Sequence, residues 1–118
     1  MGKKIVINLS GVEVTDVPKL EGEKYRIKNW RIKYVDVRKT EKVVEYVDTL
    51  IDTITRNYKD YDEIEFINFR SPFIATIFII RYKTKIGRYP IIRYAYKHNK
   101  KKYRYSFPVD LENIALCG

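Results

Sequence analysis

The 118-residue chain contains no glutamine, and cysteine, methionine, tryptophan and histidine occur once each. Each scarcity closes a route. A single Cys117 has no partner for an internal disulfide, so a reducing, cytoplasmic setting is the default expectation. The one histidine, His98, falls in a charged stretch expected to turn. A His-based triad or a His-rich metal site would need more. There is no G-x-G-x-x-G and no Walker A lysine loop. No uninterrupted apolar run approaches a membrane span. Met1-Gly2-Lys3-Lys4 leads straight into a short apolar stretch, so neither a signal peptide nor, with Val6 at the sixth position, a myristoylation site is expected. Scarce Gln, Cys and Met beside abundant Lys, Glu, Ile and Tyr is a bias of thermophilic proteins.

What is present argues for a folded protein. Hydrophobic residues make up 45% and aromatic residues 14%. That suits a single domain over residues 1–118, large enough to bury a core. The net charge of +9 is concentrated. Residues 1–80 hold 14 Lys/Arg against 13 Asp/Glu, and residues 81–104 hold ten Lys/Arg and no acid. Such a block suggests a polyanionic partner, with a solubilising surface as the plainer explanation.

Residues 62–72 organise the rest. Ile64, Phe66, Ile67 and Phe69 suit a strand covered on both faces. Ser71 then stands where a helix N-cap belongs, and Pro72 at the first helical position. The end of such a strand is where open α/β sheets bind ligands, and a helix start suits an anion. A turn that merely caps its own helix would look the same.

The remaining elements follow from pattern. Lys4–Leu9 reads as a first strand ending in the turn Asn8-Leu9-Ser10-Gly11. Residues 12–24 are ambiguous, with room for a short helix confined by Pro18 and Gly22. Arg26–Val37 reads as extended. Residues 41–58 carry apolar side chains at helical spacing, with Thr40 as expected N-cap. Glu45, Asp48 and Asp52 fall on its wet side, spaced like ligands but read as a solvated face. Residues 72–86 have strand-like propensity at Ile77, Phe78, Ile79 and Ile80. A parallel crossover needs that length, and the Ser-Pro start predicts a helix ended by Gly87. Its nearly all-round apolarity predicts a second covering surface, hence a homodimer. Residues 89–97 and 102–107 read as a hairpin around His98-Asn99-Lys100. In it Tyr94, Tyr96, Tyr103 and Tyr105 are placed to stack across strands. Val109–Leu116 closes the chain.

This order predicts an α/β fold with a mostly parallel sheet and an antiparallel hairpin at its edge. The first and central strands would lie side by side, and the crevice at their C-terminal ends would be the ligand site. The candidate site residues are Asn8, Leu9, Ser10, Gly11, Asn68, Phe69, Arg70, Ser71, Pro72, Lys85 and Arg88. The Asn and Ser side chains can bond phosphate, ribose or base, and Arg70, Lys85 and Arg88 can neutralise phosphate. No carboxylate pair falls nearby, so no metal is expected, and no cofactor. A ribose 2′-OH held in line could still attack its own phosphate without metal, with Ser10 and Arg70 as candidate catalytic residues.

Three short segments resemble a known family: Asn8-Leu9-Ser10-Gly11, then Asn68-Phe69-Arg70-Ser71-Pro72, then Gly87-Arg88-Tyr89-Pro90 with Ile91-Ile92-Arg93. Their arrangement resembles the small single-domain CRISPR-associated proteins with a CRISPR-associated Rossmann fold. The resemblance implies a Rossmann-like three-layer sandwich and a homodimer, open to higher assembly. The dimer would bind cyclic oligoadenylate, cyclic tetra-adenylate foremost. Relatives damp type III CRISPR signalling as ring nucleases or as sponges. The family turn usually runs Asn-Phe-Ser-His, and here Gly11 replaces the His, so sequestration is favoured over slow cleavage to a 2′,3′-cyclic phosphate. Two other classes stay open. One is a general single-stranded RNA- or DNA-binding module using the basic Tyr-rich hairpin; the other is an interaction protein without ligand.

Overall fold

A computed structural model describes residues 3–19, 22–100 and 102–117. The readings made at Met1 and Gly2 lie outside the described residues. Ten elements follow in order: β1 (Lys4–Asn8), β2 (Tyr25–Asn29), α1 (Thr40–Asn57), β3 (Glu63–Ile67), α2 (Pro72–Ile86), β4 (Ile91–Arg93), β5 (Ala95–Asn99), β6 (Lys102–Tyr105), β7 (Val109–Asp110) and α3 (Leu111–Leu116). The main sheet has the order β2-β1-β3-β4-β7. Its first four strands are parallel, and β7 runs antiparallel to β4. As expected, β1 and β3 are neighbours, paired from Lys4–Glu63 to Asn8–Ile67.

Alternation along each strand divides the interior in two. Ile5, Ile7, Phe66 and Ile92 face a large core closed by α1 and α2, with Val43, Val47, Leu50, Ile51, Ile54, Ile74, Phe78 and Tyr82. Two ties lock the helices together. Arg81 grips Asp48 through two bonds of 2.8 and 2.9 Å, and Lys85 meets Asp52 at 3.0 Å. So Asp48 and Asp52, two of the three acids expected on the wet side of α1, hold α2, while Glu45 stays exposed and meets Lys42 of its own helix. Val6 and Ile67 face the other side, into a smaller core with Val14, Val17 and Tyr105. Both long helices thus cover one face, and the segment around residues 12–19 together with β6 covers the other.

The second helix forms where the Ser-Pro start placed it. The Ser71 Oγ accepts from the Ile74 N–H at 3.5 Å, Pro72 opens the helix, and Gly87 closes it at φ 92°. That left-handed angle is one only glycine takes freely. Several expectations are corrected. The second strand stops at Asn29 rather than Val37: its partner β1 ends at Asn8, and the Trp30 N–H bond to the Asn8 carbonyl closes the ladder. Thr40 is the first residue of α1, and Lys39 is its N-cap without a side-chain bond. No helix forms between β1 and β2 among the described residues. The hairpin does not extend the main sheet, because β7 takes the place beside β4; β5 and β6 make a separate two-stranded sheet folded over the face. Its tyrosines do not oppose one another either. Tyr105 faces Ala95, Tyr96 faces Arg104, and Tyr103 faces Lys97, while His98 and Asn99 belong to β5 rather than to the turn.

Candidate functional site

Two turns meet at the shared C-terminal end of β1 and β3, and each begins with an asparagine. The Asn8 Oδ1 accepts from the Ser10 N–H at 3.0 Å and the Ser10 hydroxyl at 2.6 Å. Its Nδ2 donates to the Val12 carbonyl at 2.6 Å and to the Asn29 Oδ1 at 2.7 Å. Gly11, at φ 80°, lets the chain reverse there. Asn29 continues the network. Its side chain pairs with the backbone of Val14, accepting from the N–H and donating to the carbonyl, both at 3.0 Å. Leu9 is buried in the large core, and its N–H bonds the Ile67 carbonyl at 2.8 Å. The first turn therefore builds and braces itself. Ser10 is its one reactive group, and that hydroxyl is held by Asn8.

The second turn is less complete. Asn68 is 4% exposed, and its Oδ1 accepts from the Phe69 N–H at 2.8 Å, but its Nδ2 has no hydrogen-bond partner. Phe69 packs edge-on against Phe78 and Tyr46, which fixes the turn to the helical core. Arg70 is exposed and aimed by Tyr103. Its guanidinium lies 4.9 Å from the ring centroid, and an Nη donates to the phenol oxygen at 2.7 Å. Ser71 takes the Ile74 and Ala75 N–H groups, and Pro72 has none to offer. The start of α2 thus keeps less donor capacity for an anion than a bare helix terminus.

A third element completes this end. Tyr105, from β6, is 8% exposed, and its hydroxyl also has no bond of hydrogen-bond geometry. Burial pushes its phenol up, opposed by the nearby Ser10 hydroxyl and the Arg70 guanidinium, one group from each turn. Ser10, Arg70 and Tyr105 are thus brought together beside the turn that carries Asn68. Pattern reading did not find Tyr105 as a site residue; its place opposite Ala95 turns it inward, and only the folding of the hairpin over the face shows that.

Lys85 and Arg88 do not join them. Lys85 is paired with Asp52, and Arg88 bonds Asp110 and the Tyr89 carbonyl. The Asp110 carboxylate holds the Arg88 guanidinium above its usual range. Arg88 also lines a cavity of about 370 Å³ with Asp62, Glu63 and Ile91, where β3 and β4 begin. That is the opposite end of the sheet.

A buried charge network, missed in the sequence, lies on the face under β6. Arg93 is 0% exposed, and its Nε donates to Glu65 at 2.9 Å. Its Nη1 donates to the Pro18 and Ser106 carbonyls, its guanidinium sits 5.4 Å from the Tyr25 ring centroid, and its Nη2 has no partner. Lys4 extends the network to Glu23 at 2.7 Å, Glu63 at 2.9 Å and Glu65 at 3.7 Å. Those carboxylates raise its ammonium well above the ordinary lysine range. The available signal was a glutamate within the apolar run Ile64–Ile67 and an arginine ending Ile91-Ile92.

The basic block now resolves into two parts. Arg81, Lys83, Lys85, Arg88 and Arg93 pair with Asp48, Glu112, Asp52, Asp110 and Glu65. Lys97, Lys100, Lys102 and Arg104 stay exposed on the hairpin. Among the described residues no group of three or more His, Cys, Asp or Glu is placed to hold a metal, and no helix is long and apolar enough to cross a membrane. No protein-family model matches the chain, and neither a curated protein nor a solved structure is similar to it.

Proposed function

We propose that the chain binds a phosphate-bearing nucleotide ligand at the common end of β1 and β3. The ligand is a cyclic oligoadenylate, cyclic tetra-adenylate before other ring sizes, held across a homodimer and removed by sequestration. The observation that carries this reading is the exposed Arg70, aimed by Tyr103, in a turn whose Asn68 Nδ2 is buried without a partner, as is the Tyr105 hydroxyl on β6. Buried polar atoms normally find partners, and unsatisfied polar groups in the same region as an exposed guanidinium suit an anionic, oxygen-rich ligand. The strand order around β1 and β3 supports a Rossmann-like assignment, in which ligands bind where connections diverge. The motif resemblance supplies the ring.

Sequestration is favoured over cleavage on chemical grounds. No histidine or carboxylate belongs to either turn, and the Ser10 hydroxyl is engaged by Asn8. A ring nuclease would then have only positioning and cationic stabilisation. Dimerisation has its own support in α2, where Phe73, Ile80 and Ile86 stay exposed. A second reading, single-stranded nucleic-acid binding, draws on the hairpin, whose Tyr96 is 50% exposed among lysines.

Calorimetry with cyclic tetra-adenylate in EDTA tests the proposal. Arg70→Ala should weaken binding by about 1.5–3 kcal/mol, the range for hydrogen bonds to charged groups. Equal loss from Lys100→Ala or Lys102→Ala would point to diffuse electrostatics. Ligand recovered intact after hours with excess protein supports a sponge. Full cleavage within minutes, abolished by Ser10→Ala, makes the protein a nuclease.

A further inference from the structure

A groove of about 540 Å³ runs between residues 13–18 and β6, lined by Glu13, Asp16, Tyr96, Tyr103, Arg104 and Tyr105 among others. Its volume falls within the range of small-molecule sites, about 300–1,000 Å³. We propose that this groove is a nucleobase subsite that selects a base carrying an exocyclic amine. The inference rests on the nucleotide reading above for the phosphate, which would sit at Arg70.

The two walls differ in chemistry. On the hairpin side stand tyrosines and cations. Tyr103 is half-buried and fixed by Arg70, while Tyr96 offers an open ring. Aromatic faces of this kind stack bases whatever their sequence. On the other side Glu13 and Asp16 are exposed carboxylates, and neither takes an ion pair among the described residues although Lys102 and Arg104 line the same groove. Such a wall repels phosphate but accepts hydrogen bonds from an amine, as carboxylates do from the amino groups of bases. Tyr105 lines the groove from its inner side, its hydroxyl buried and unpartnered in the core beneath. Tyr103 belongs to the groove and also holds Arg70, so base and phosphate sites join through one residue. A nucleotide, with an amine at one end and a phosphate at the other, matches that polarity.

The experiment titrates AMP and purine riboside 5′-monophosphate, which lacks only the amine, while following the tyrosine ring resonances. AMP should perturb Tyr96, Tyr103 and Tyr105 and bind about tenfold more tightly than the purine nucleotide, within the range for a good carboxylate–base contact. The double variant Glu13→Ala, Asp16→Ala should erase that difference without moving the denaturation midpoint, since both side chains are exposed. Tyr96→Ala should weaken both nucleotides. Equal binding of the two by the unaltered protein, or binding that leaves the three rings unperturbed, overturns the subsite. Failure of cyclic tetra-adenylate while AMP behaves as described overturns only the ring reading. Tight ring binding unchanged by the double variant and by Tyr96→Ala overturns only the subsite.

Discussion

Asn8 and Asn68 occupy equivalent places at the ends of adjacent strands, yet their side chains do different things. Asn8 uses both ends of its amide inside the fold, binding Ser10, Val12 and Asn29. Asn68 leaves its Nδ2 open. Asn8→Ala should therefore lower stability by about 2–4 kcal/mol in a denaturant titration, at roughly 1 kcal/mol for each bond lost. Asn68→Ala should chiefly weaken ligand binding. The sequence showed both as turn residues able to bond a ligand, because residue type gives capacity and not occupancy. The buried Glu65–Arg93 pair makes a sharper case. Glu65→Ala strands a charge that is fully buried, and such breakage costs about 3–5 kcal/mol. Replacing both partners, Glu65→Met with Arg93→Leu, should recover most of that loss in the same titration. If the double variant is no better than the single one, the carbonyl bonds to Pro18 and Ser106 matter more than the ion pair.

At the scale of elements, local signals predicted what local chemistry decides. Ser71, Pro72 and Gly87 bound α2 against a strand-like run of Ile77, Phe78, Ile79 and Ile80, because capping and φ are set within a few residues. Partner length was not legible: Trp30–Val37 has strand propensity but no strand beside it once β1 has ended. The placement of Lys85 and Arg88 failed for a related reason. A 15-residue α2 spans about 22 Å, so its last turn cannot share an end with its first. Near that far end α3 is tethered by Glu112, which accepts from the Tyr89 N–H at 2.6 Å and from Lys83 at 3.4 Å. The Tyr89 N–H holds the Glu112 carboxyl below the usual glutamate value, opposed by burial and helped further by Lys83 and Arg88. A depressed carboxylate contributes stability that is present above its unfolded pKa and lost as pH falls through the folded one. The tether should thus be intact at neutral pH and release only in acid, below the ordinary range near 4.5. An NMR titration of the Tyr89 amide should show that step in the native protein and none in Glu112→Gln. A step that persists in the variant would assign the change to another group.

For the whole molecule, the charge of +9 is a net figure that already counts the acids, and ion pairing decides only where the excess is exposed. Five cations of the basic block are matched by acids within the fold, its described remainder lies exposed on the hairpin, and further exposed cations stand at Arg70 and at Lys24, Arg26, Lys28, Arg31 and Lys33. Two ligands could use that remainder in distinguishable ways. A closed ring of four phosphates releases few counterions, so log K against log salt should fall with a slope no steeper than about −3, taking roughly 0.7 for each single-strand phosphate. A long strand tracking Lys97, Lys100, Lys102 and Arg104 would give a steeper slope and an affinity that rises with length. Two-fold symmetry adds a stoichiometry: one ring for two chains, with each chain supplying one Arg70 and one Tyr105. The dimer would cover Phe73 and Ile80 of α2, so Ile80→Glu should yield a monomer by sedimentation at micromolar protein and lose ring binding with it. Each chain would then present half a site. A monomeric unaltered protein that binds one ring per chain, or one that prefers long linear oligoadenylate over the ring, would move the activity from the strand ends to the hairpin surface.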